Sequence, residues 1–211
     1  MKKIFFLDFD GTISLEDTCY LMIEKFCRPG WQELNEQWER GELGTIECAR
    51  CTFELFDASR DELLQFCRQL PIDPDFPDFV ARAEQRGDKI YILSDGYDLN
   101  IKTILQQNNL DQIPFYANRL HYSDGKFDIT SPYHNYECGQ CGTCKKSLLE
   151  QLREKEVQIV YVGDGTSDKC AAQFADIVFA KQELLRYCQA KGRQAIGFKS
   201  FKDIIQWLEQ A

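Results

Sequence analysis

Asp8 and Asp10 stand two residues apart at the end of an apolar run, Ile4-Phe-Phe-Leu7, and Gly11-Thr12 follows them. In an extended strand residues i and i+2 point the same way, so both carboxylates address one spot. Gly11 lets the backbone turn sharply just beyond. Ligand crevices of open α/β sheets lie outside the carboxyl ends of strands, where this pair falls. Carboxylates that close repel each other unless a cation or a proton intervenes. The pair therefore predicts a magnesium-dependent phosphoryl-transfer site with an aspartate nucleophile.

Three further segment ends supply matching chemistry. Ser94 follows the apolar run at 89–93, Lys145 opens a helix, and Asp164 and Asp168 follow the run at 157–162. Phosphoryl transfer needs mainly positioning and charge neutralisation. A carboxylate can attack phosphorus, and a hydroxyl and an ammonium can hold phosphate oxygens. Further carboxylates suit magnesium, which prefers oxygen ligands. Asp10 would protonate the leaving alcohol and later activate water.

The elements that must position these residues alternate. Helices are predicted over 17–27, 31–40, 45–56 and 60–69, punctuated by Pro29-Gly30, Gly41, Gly44 and Pro71. Ser59 and Glu62 fit a capping box for the fourth. Beyond them come helix 76–86, strand 89–93 ended by Ser94-Asp95-Gly96, helix 97–108 and a strand near 114–121. Ser123-Asp-Gly125 reads as a hairpin turn into strand 126–129. A cysteine-rich loop (131–144), helix 145–155, strand 157–162, helix 167–174, strand 176–179, helix 182–191, a short strand near 194–198 and helix 200–209 complete the chain. Such alternation predicts an α/β fold, a Rossmann-like three-layer core around a parallel sheet. The helical block interrupts it early, so residues 15–74 are expected to form a helical cap inserted after the first strand, on a core of 1–14 and 75–211.

At 211 residues the chain can bury such a core without staples. A net charge of −9 argues against a nucleic-acid backbone as partner, though a bound cation would still admit small anionic substrates. No apolar run approaches the length that spans a bilayer, and the stretch after Met1-Lys-Lys ends at Asp8, so a cytoplasmic protein without membrane contact is expected. Stable disulfides are unexpected there. Seven of the ten cysteines (Cys19, Cys27, Cys48, Cys51, Cys67, Cys170, Cys188) are scattered at positions that could face the core. The remaining three form His134-x3-Cys138-x2-Cys141-x2-Cys144, the ligand set of a structural Cys3His zinc site. The alternatives are a reduced loop shaping the site's rim, or a disulfide from Cys138 to Cys141 or Cys144. His121 reads as structural. Trp31 and Trp38, seven residues apart, share a helical face in the cap core or the groove beneath it.

Asp8-Phe-Asp10-Gly-Thr12, Ser94-Asp-Gly96, Lys145 and Gly163-Asp-Gly-Thr-Ser-Asp168 resemble, in order, the four motifs of the haloacid dehalogenase superfamily. The resemblance implies that Asp8 is the nucleophile and Asp10 the general acid/base. It also implies magnesium on the Asp8 carboxylate, the Asp10 backbone carbonyl and the Asp164 carboxylate, with Asp168, Gly11 and Thr12 in support. Ser94, Asp95, Gly96 and Lys145 would hold the phosphate, and Lys145, rather than the adjacent Lys146, fits the motif's spacing to Leu148 and Leu149. A helical cap between the first two motifs looks like the phosphoserine-phosphatase branch. Asp17, Cys141-Gly-x-Cys-Lys145 and Ala175-Asp-Ile-Val-Phe-Ala-Lys181 look like the MtnX-type phosphatases of methionine salvage, which act on an enol phosphate. The vertebrate phosphoethanolamine/phosphocholine phosphatases share a related cysteine-rich loop. Phosphoserine phosphatases carry Glu where Asp17 stands, to grip the substrate amine, and a cap arginine for its carboxylate, about where Arg50 falls. Ser94-Asp95-Gly96 departs from the Ser-Gly-Gly common to these groups. The expected activity is hydrolysis of a small phosphorylated metabolite. A phosphotransferase, or a scaffold that merely binds phosphate, are the alternatives.

Overall fold

The computed structural model describes residues 2–210. Its centre is β1 (Lys3–Leu7), buried along its whole length. Phe5 and Leu7 join one apolar cluster while Ile4 and Phe6 join another. An apolar strand read on both faces belongs in the middle of a covered parallel sheet. The chain then leaves for four helices: α1 (Thr18–Phe26), α2 (Trp31–Glu39), α3 (Thr45–Glu54) and α4 (Arg60–Cys67). Asp17 caps α1 by accepting the Tyr20 N–H, and Ser59 with Glu62 forms the capping box that opens α4. The helical segment departs and returns at one neck, where Ser14 pairs with Ile72 and the Leu15 N–H donates to the Pro71 carbonyl.

After the neck come α5 (Phe76–Arg86), β2 (Lys89–Tyr97), α6 (Asp98–Gln107), β3 (Phe115–Ser123) and β4 (Lys126–Thr130). Then follow α7 (Lys145–Leu152), β5 (Gln158–Gly163), α8 (Lys169–Ala172), β6 (Ile177–Ala180), α9 (Gln182–Ala190), β7 (Ile196–Gly197) and α10 (Phe201–Gln210). The sheet order is β4-β3-β2-β1-β5-β6-β7. All neighbours pair in parallel except the β3–β4 hairpin. Its turn places Asp124 and Gly125 at φ 52° and 77°, the left-handed pair that two-residue hairpins favour. One sheet face is covered by α5, α6 and α10, with Phe5 meeting Phe79 edge-on at 5.1 Å and Phe76 meeting Phe201 at 4.8 Å. The other is covered by α7, α8 and α9 through Leu148, Leu149, Ala171 and Leu184.

Several expected boundaries move for local reasons. Strand β2 continues through Ser94-Asp95-Gly96 to Tyr97, with a register shift against β3 between Leu93 and Tyr97. The expected helix at 167–174 is a 3-10 turn, Thr166–Asp168, running into the four-residue α8. The Asp168 carboxylate accepts the N–H groups of Asp164 and Gly165 and tightens that turn. Among the scattered cysteines Cys67 and Cys188 are buried, whereas Cys170 faces solvent. No helix among the described residues is long and apolar enough to cross a membrane.

Candidate active site

The carboxyl ends of β1, β2 and β5, three adjacent strands, meet the N-terminus of α7 at one point. Parallel pairing in register, Leu7 opposite both Ile92 and Val162, brings Asp8, Ser94 and Asp164 to the same edge. The Asp8 N–H extends the ladder by donating to the Val162 carbonyl at 2.9 Å. Beyond it Gly11 turns with φ +70°, and a Cβ there would lie 2.5 Å from Asp164 Oδ2. Glycine is required twice over, by conformation and by space.

Lys145 is almost wholly buried, and its ammonium donates to Asp8 Oδ1 at 2.5 Å and to Asp168 Oδ1 at 2.6 Å. Burial alone would lower its pKa; Asp168 and Asp8 outweigh this and hold it raised. Lys146 turns outward and lies over the Phe174 ring at 4.6 Å. The helical period decides between two adjacent lysines. Asp168 accepts from Lys145, from the Tyr161 hydroxyl at 2.7 Å and from two backbone N–H groups. With both oxygens so engaged, it orients Lys145 and the Asp164 turn.

Asp8, Asp164 and Asp168 bring carboxylate oxygens within 4.8 Å of one another. The Thr12 hydroxyl donates to Asp164 Oδ1 at 3.3 Å. Burial first, then the charge of Asp168, raises the pKa of both Asp8 and Asp164. Lys145 bonds two of the three carboxylates, and the charge of Lys181 also acts on Asp164 and Asp8. An all-oxygen cluster with surplus negative charge fits a hard divalent cation.

Asp10 has different partners. The Thr18 N–H and hydroxyl both donate to its Oδ1, at 2.8 and 2.6 Å, while the Ser94 hydroxyl lies 3.4 Å from its Oδ2. Burial, with the charge of Asp17 next, pushes its pKa up to about 7 against the lowering effect of Thr18. A Cβ on Gly96 would sit 2.5 Å from Asp10 Oδ2, so only glycine leaves that oxygen its place. Thr18, the residue that aims Asp10, belongs to no motif and was not legible in the sequence. Tyr161 was missed too, because a tyrosine within an apolar strand gives no sign of its hydroxyl's partner.

Above these groups opens a cavity of about 640 Å³ under α1, α2 and α3. Its walls include Tyr20, Trp31, Trp38, Asp17 and Glu39, so both tryptophans reach the groove. Among the described residues no lysine or arginine lines these walls. Arg50, expected to meet a substrate carboxylate, instead lies on the exposed side of α3 with its guanidinium 3.5 Å from Asp128 on β4. That expectation is corrected: the helix places Ala49 and Thr52 toward the cavity and turns Arg50 outward. Asp17 does border the cavity, although one of its oxygens is engaged in capping α1.

The zinc expectation is also corrected. His134 Nδ1 lies 2.8 Å from the Cys141 carbonyl, the Cys144 sulfur accepts from the Ser147 hydroxyl, and Cys138 is exposed. Among the described residues two groups converge as metal ligands, and neither contains any of these four. The loop's cysteines are free thiols. His121 Nε2 lies 2.8 Å from the Thr130 hydroxyl on the outer hairpin.

Two aspartates with different partners, a buried lysine and a cluster of carboxylate oxygens thus meet at the carboxyl end of a parallel sheet. The chain belongs to the haloacid dehalogenase-like hydrolase family, whose profile matches residues 5–173. Among its relatives, a 2-hydroxy-3-keto-5-methylthiopentenyl-1-phosphate phosphatase of Geobacillus kaustophilus is 31% identical, covering 99% of this chain and 96% of that one. One of the same description from Brevibacillus brevis is 29% identical over the same shares. An apo phosphoserine phosphatase crystal structure superposes with a TM-score of 0.72 over 98% of this chain and 99% of that chain, at 20% identity. That likeness is one of fold.

Proposed function

We propose that the protein hydrolyses a small phosphomonoester whose body is uncharged and partly apolar, with the methylthio enol phosphate of methionine salvage as the substrate that fits best. The observation that carries this is the cavity: aromatic and acidic walls, without a cation, above a phosphate site that holds Lys145. Phosphoserine presents a carboxylate, which Asp17 and Glu39 would repel and which Arg50 is turned away from meeting. The names of the two relatives support the same substrate. The acidic walls favour a second reading, an amine-bearing ester such as phosphoethanolamine.

In this reading Asp8 attacks phosphorus, and Lys145 and Ser94 hold the phosphoryl oxygens. Asp10 gives its proton to the leaving alcohol, then takes one from the water that cleaves the aspartyl-phosphate. Magnesium would be held by the Asp8 and Asp164 carboxylates and the Asp10 carbonyl, and would neutralise charge on the transferring group. Residues 15–74 act as a cap over the core formed by 1–14 and 75–211, excluding water from the reacting groups.

Phosphate release measured over a panel of esters tests the reading. Turnover should require magnesium, stop in chelator and return on adding the metal back. kcat/KM for the enol phosphate should exceed that for phosphoserine by ~100-fold or more, the scale of a buried unpaired charge. Equal rates on phosphoserine would overturn the substrate assignment, and a preference for phosphoethanolamine would select the second reading.

A further inference from the structure

The side chain of Asp95 takes no part in the chemistry described above. It was expected among the phosphate-binding residues, yet a carboxylate repels a phosphate dianion, and the oxygens of this one meet Thr143, Asn118 and Thr45 instead. Asp95 Oδ1 accepts the Thr143 N–H at 2.7 Å and lies 3.2 Å from Asn118 Nδ2, which also donates to the Asp95 carbonyl at 2.6 Å. Asn118 Oδ1 in turn accepts the hydroxyls of Ser131 and Thr143, at 2.7 and 3.3 Å. Asn118 and Thr143 are wholly buried. The loop packs so closely here that a Cβ on Gly142 would lie 2.4 Å from Asn118 Oδ1. Thr143 is two residues before Lys145, so whatever fixes its N–H also fixes the start of α7 and the buried ammonium.

The other carboxylate oxygen faces the helical insertion. The Thr45 hydroxyl, at the first residue of α3, lies 3.3 Å from Asp95 Oδ2 and 3.2 Å from the Gln140 carbonyl. It also accepts the Trp38 indole N–H at 3.1 Å, and the Thr45 N–H donates to Gln140 at 3.3 Å. Trp38 and Thr45 both border the cavity. One carboxylate thus joins the strand end that carries Ser94, the loop that carries Lys145, and the part of the insertion that roofs the pocket.

We propose that Asp95 is a positioning residue, a latch that holds the α2–α3 end of the insertion down on the 138–144 loop, so that pocket closure and Lys145 placement are set together. Its kinetic consequences rest on the phosphatase reading; its structural ones do not. The one proton of the Thr45 hydroxyl is shared between Asp95 Oδ2 and the Gln140 carbonyl, and the location of this contact at the rim makes it the natural point at which closing is registered by the loop.

Three variants of the full chain test this: Thr45→Val, which replaces the hydroxyl by a methyl of the same shape, Thr45→Ser, which keeps it, and Asp95→Ala. Each is read by kinetics on p-nitrophenyl phosphate and by amide hydrogen exchange. Thr45→Val should raise KM about fivefold with kcat within about twofold, a loss confined to closing. Exchange should quicken both at 45–48 and, across the contact, at 141–144. Thr45→Ser should restore both readouts. Asp95→Ala should add a fall in kcat of ~10-fold or more, because Thr143 loses its acceptor and Lys145 its registration. Wild-type KM and exchange in Thr45→Val, or a Thr45→Ser variant as impaired as Thr45→Val, would overturn the latch, and both hold even if Asp95→Ala fails to fold. Should the unmutated protein release phosphate from no ester, the phosphatase reading fails, while exchange at 141–144 still decides the latch.

Discussion

Asp8→Asn should stop phosphate release by ~10⁴-fold or more, because an amide cannot attack phosphorus and no other carboxylate is placed to substitute. Asp164 is held by the Thr12 hydroxyl and Asp168 by Lys145, Tyr161 and two backbone amides. Asp10 is fixed by the N–H and hydroxyl of Thr18, apart from the Asp8 cluster. The variant should nevertheless fold. Its new amide keeps an oxygen that can accept from Lys145, and it relieves a cluster whose burial and mutual repulsion raise the Asp8 pKa. The measurement is an acid quench with radiolabelled ester. Wild type should carry an acid-stable, hydroxylamine-sensitive label, and Asp8→Asn none. A label of wild-type size on Asp8→Asn would move the nucleophile to another residue.

The contrast between these aspartates shows what the sequence could and could not display. Apolar runs ending in Asp8, Ser94 and Asp164 placed those residues at the same sheet edge, but the strand period did not carry Asp10 with them: β1 ends at Leu7, and Asp10 lies in the turn beyond, held by Thr18 and apart from the cluster of Asp8, Asp164 and Asp168. The buried lysine was legible only through its spacing to Leu148 and Leu149, which sets the face of α7. What stayed hidden depends on contacts between segments distant in the chain. Thr18 holds Asp10 because α1 begins where the strand-end turn finishes, and nothing in a threonine at a helix start marks a partner. Arg50 looked suited to a carboxylate by position, yet one residue of helical rotation sends it to Asp128. The cysteine loop carried a metal-like spacing, but its histidine is aimed at a backbone carbonyl of the same loop. Asp95 was legible as a departure from a glycine pattern; its partners Thr45, Asn118 and Thr143 lie 50, 23 and 48 residues away.

Asp10→Asn should make the metal-free protein more stable while slowing it, and the gain should depend on pH. In the folded protein the Asp10 carboxyl is pushed up to about 7, chiefly by burial. In the unfolded chain it titrates near ~3.9. Between those values the folded state keeps a proton that the unfolded state has released, so wild-type stability falls as pH rises from about 4 to about 7 and is flat above. Asparagine has no such proton, and its side-chain oxygen still accepts from Thr18. The advantage of the variant should therefore be absent below pH ~4, grow through the window and level off at about 4 kcal/mol above pH ~7, the free energy of moving one carboxyl pKa from about 4 to about 7, as read by urea denaturation in chelator. In the proposed mechanism the same proton governs turnover. Forming the phosphoenzyme needs Asp10 protonated and hydrolysing it needs Asp10 ionised, so one group should yield a bell-shaped rate profile. The labelled fraction of wild type at steady state should fall as pH crosses about 7, since acid favours formation and base favours breakdown. In Asp10→Asn both steps should be slower by ~10²-fold or more and the labelled fraction should no longer change across that range. A wild-type labelled fraction independent of pH would assign the proton transfers to a group other than Asp10.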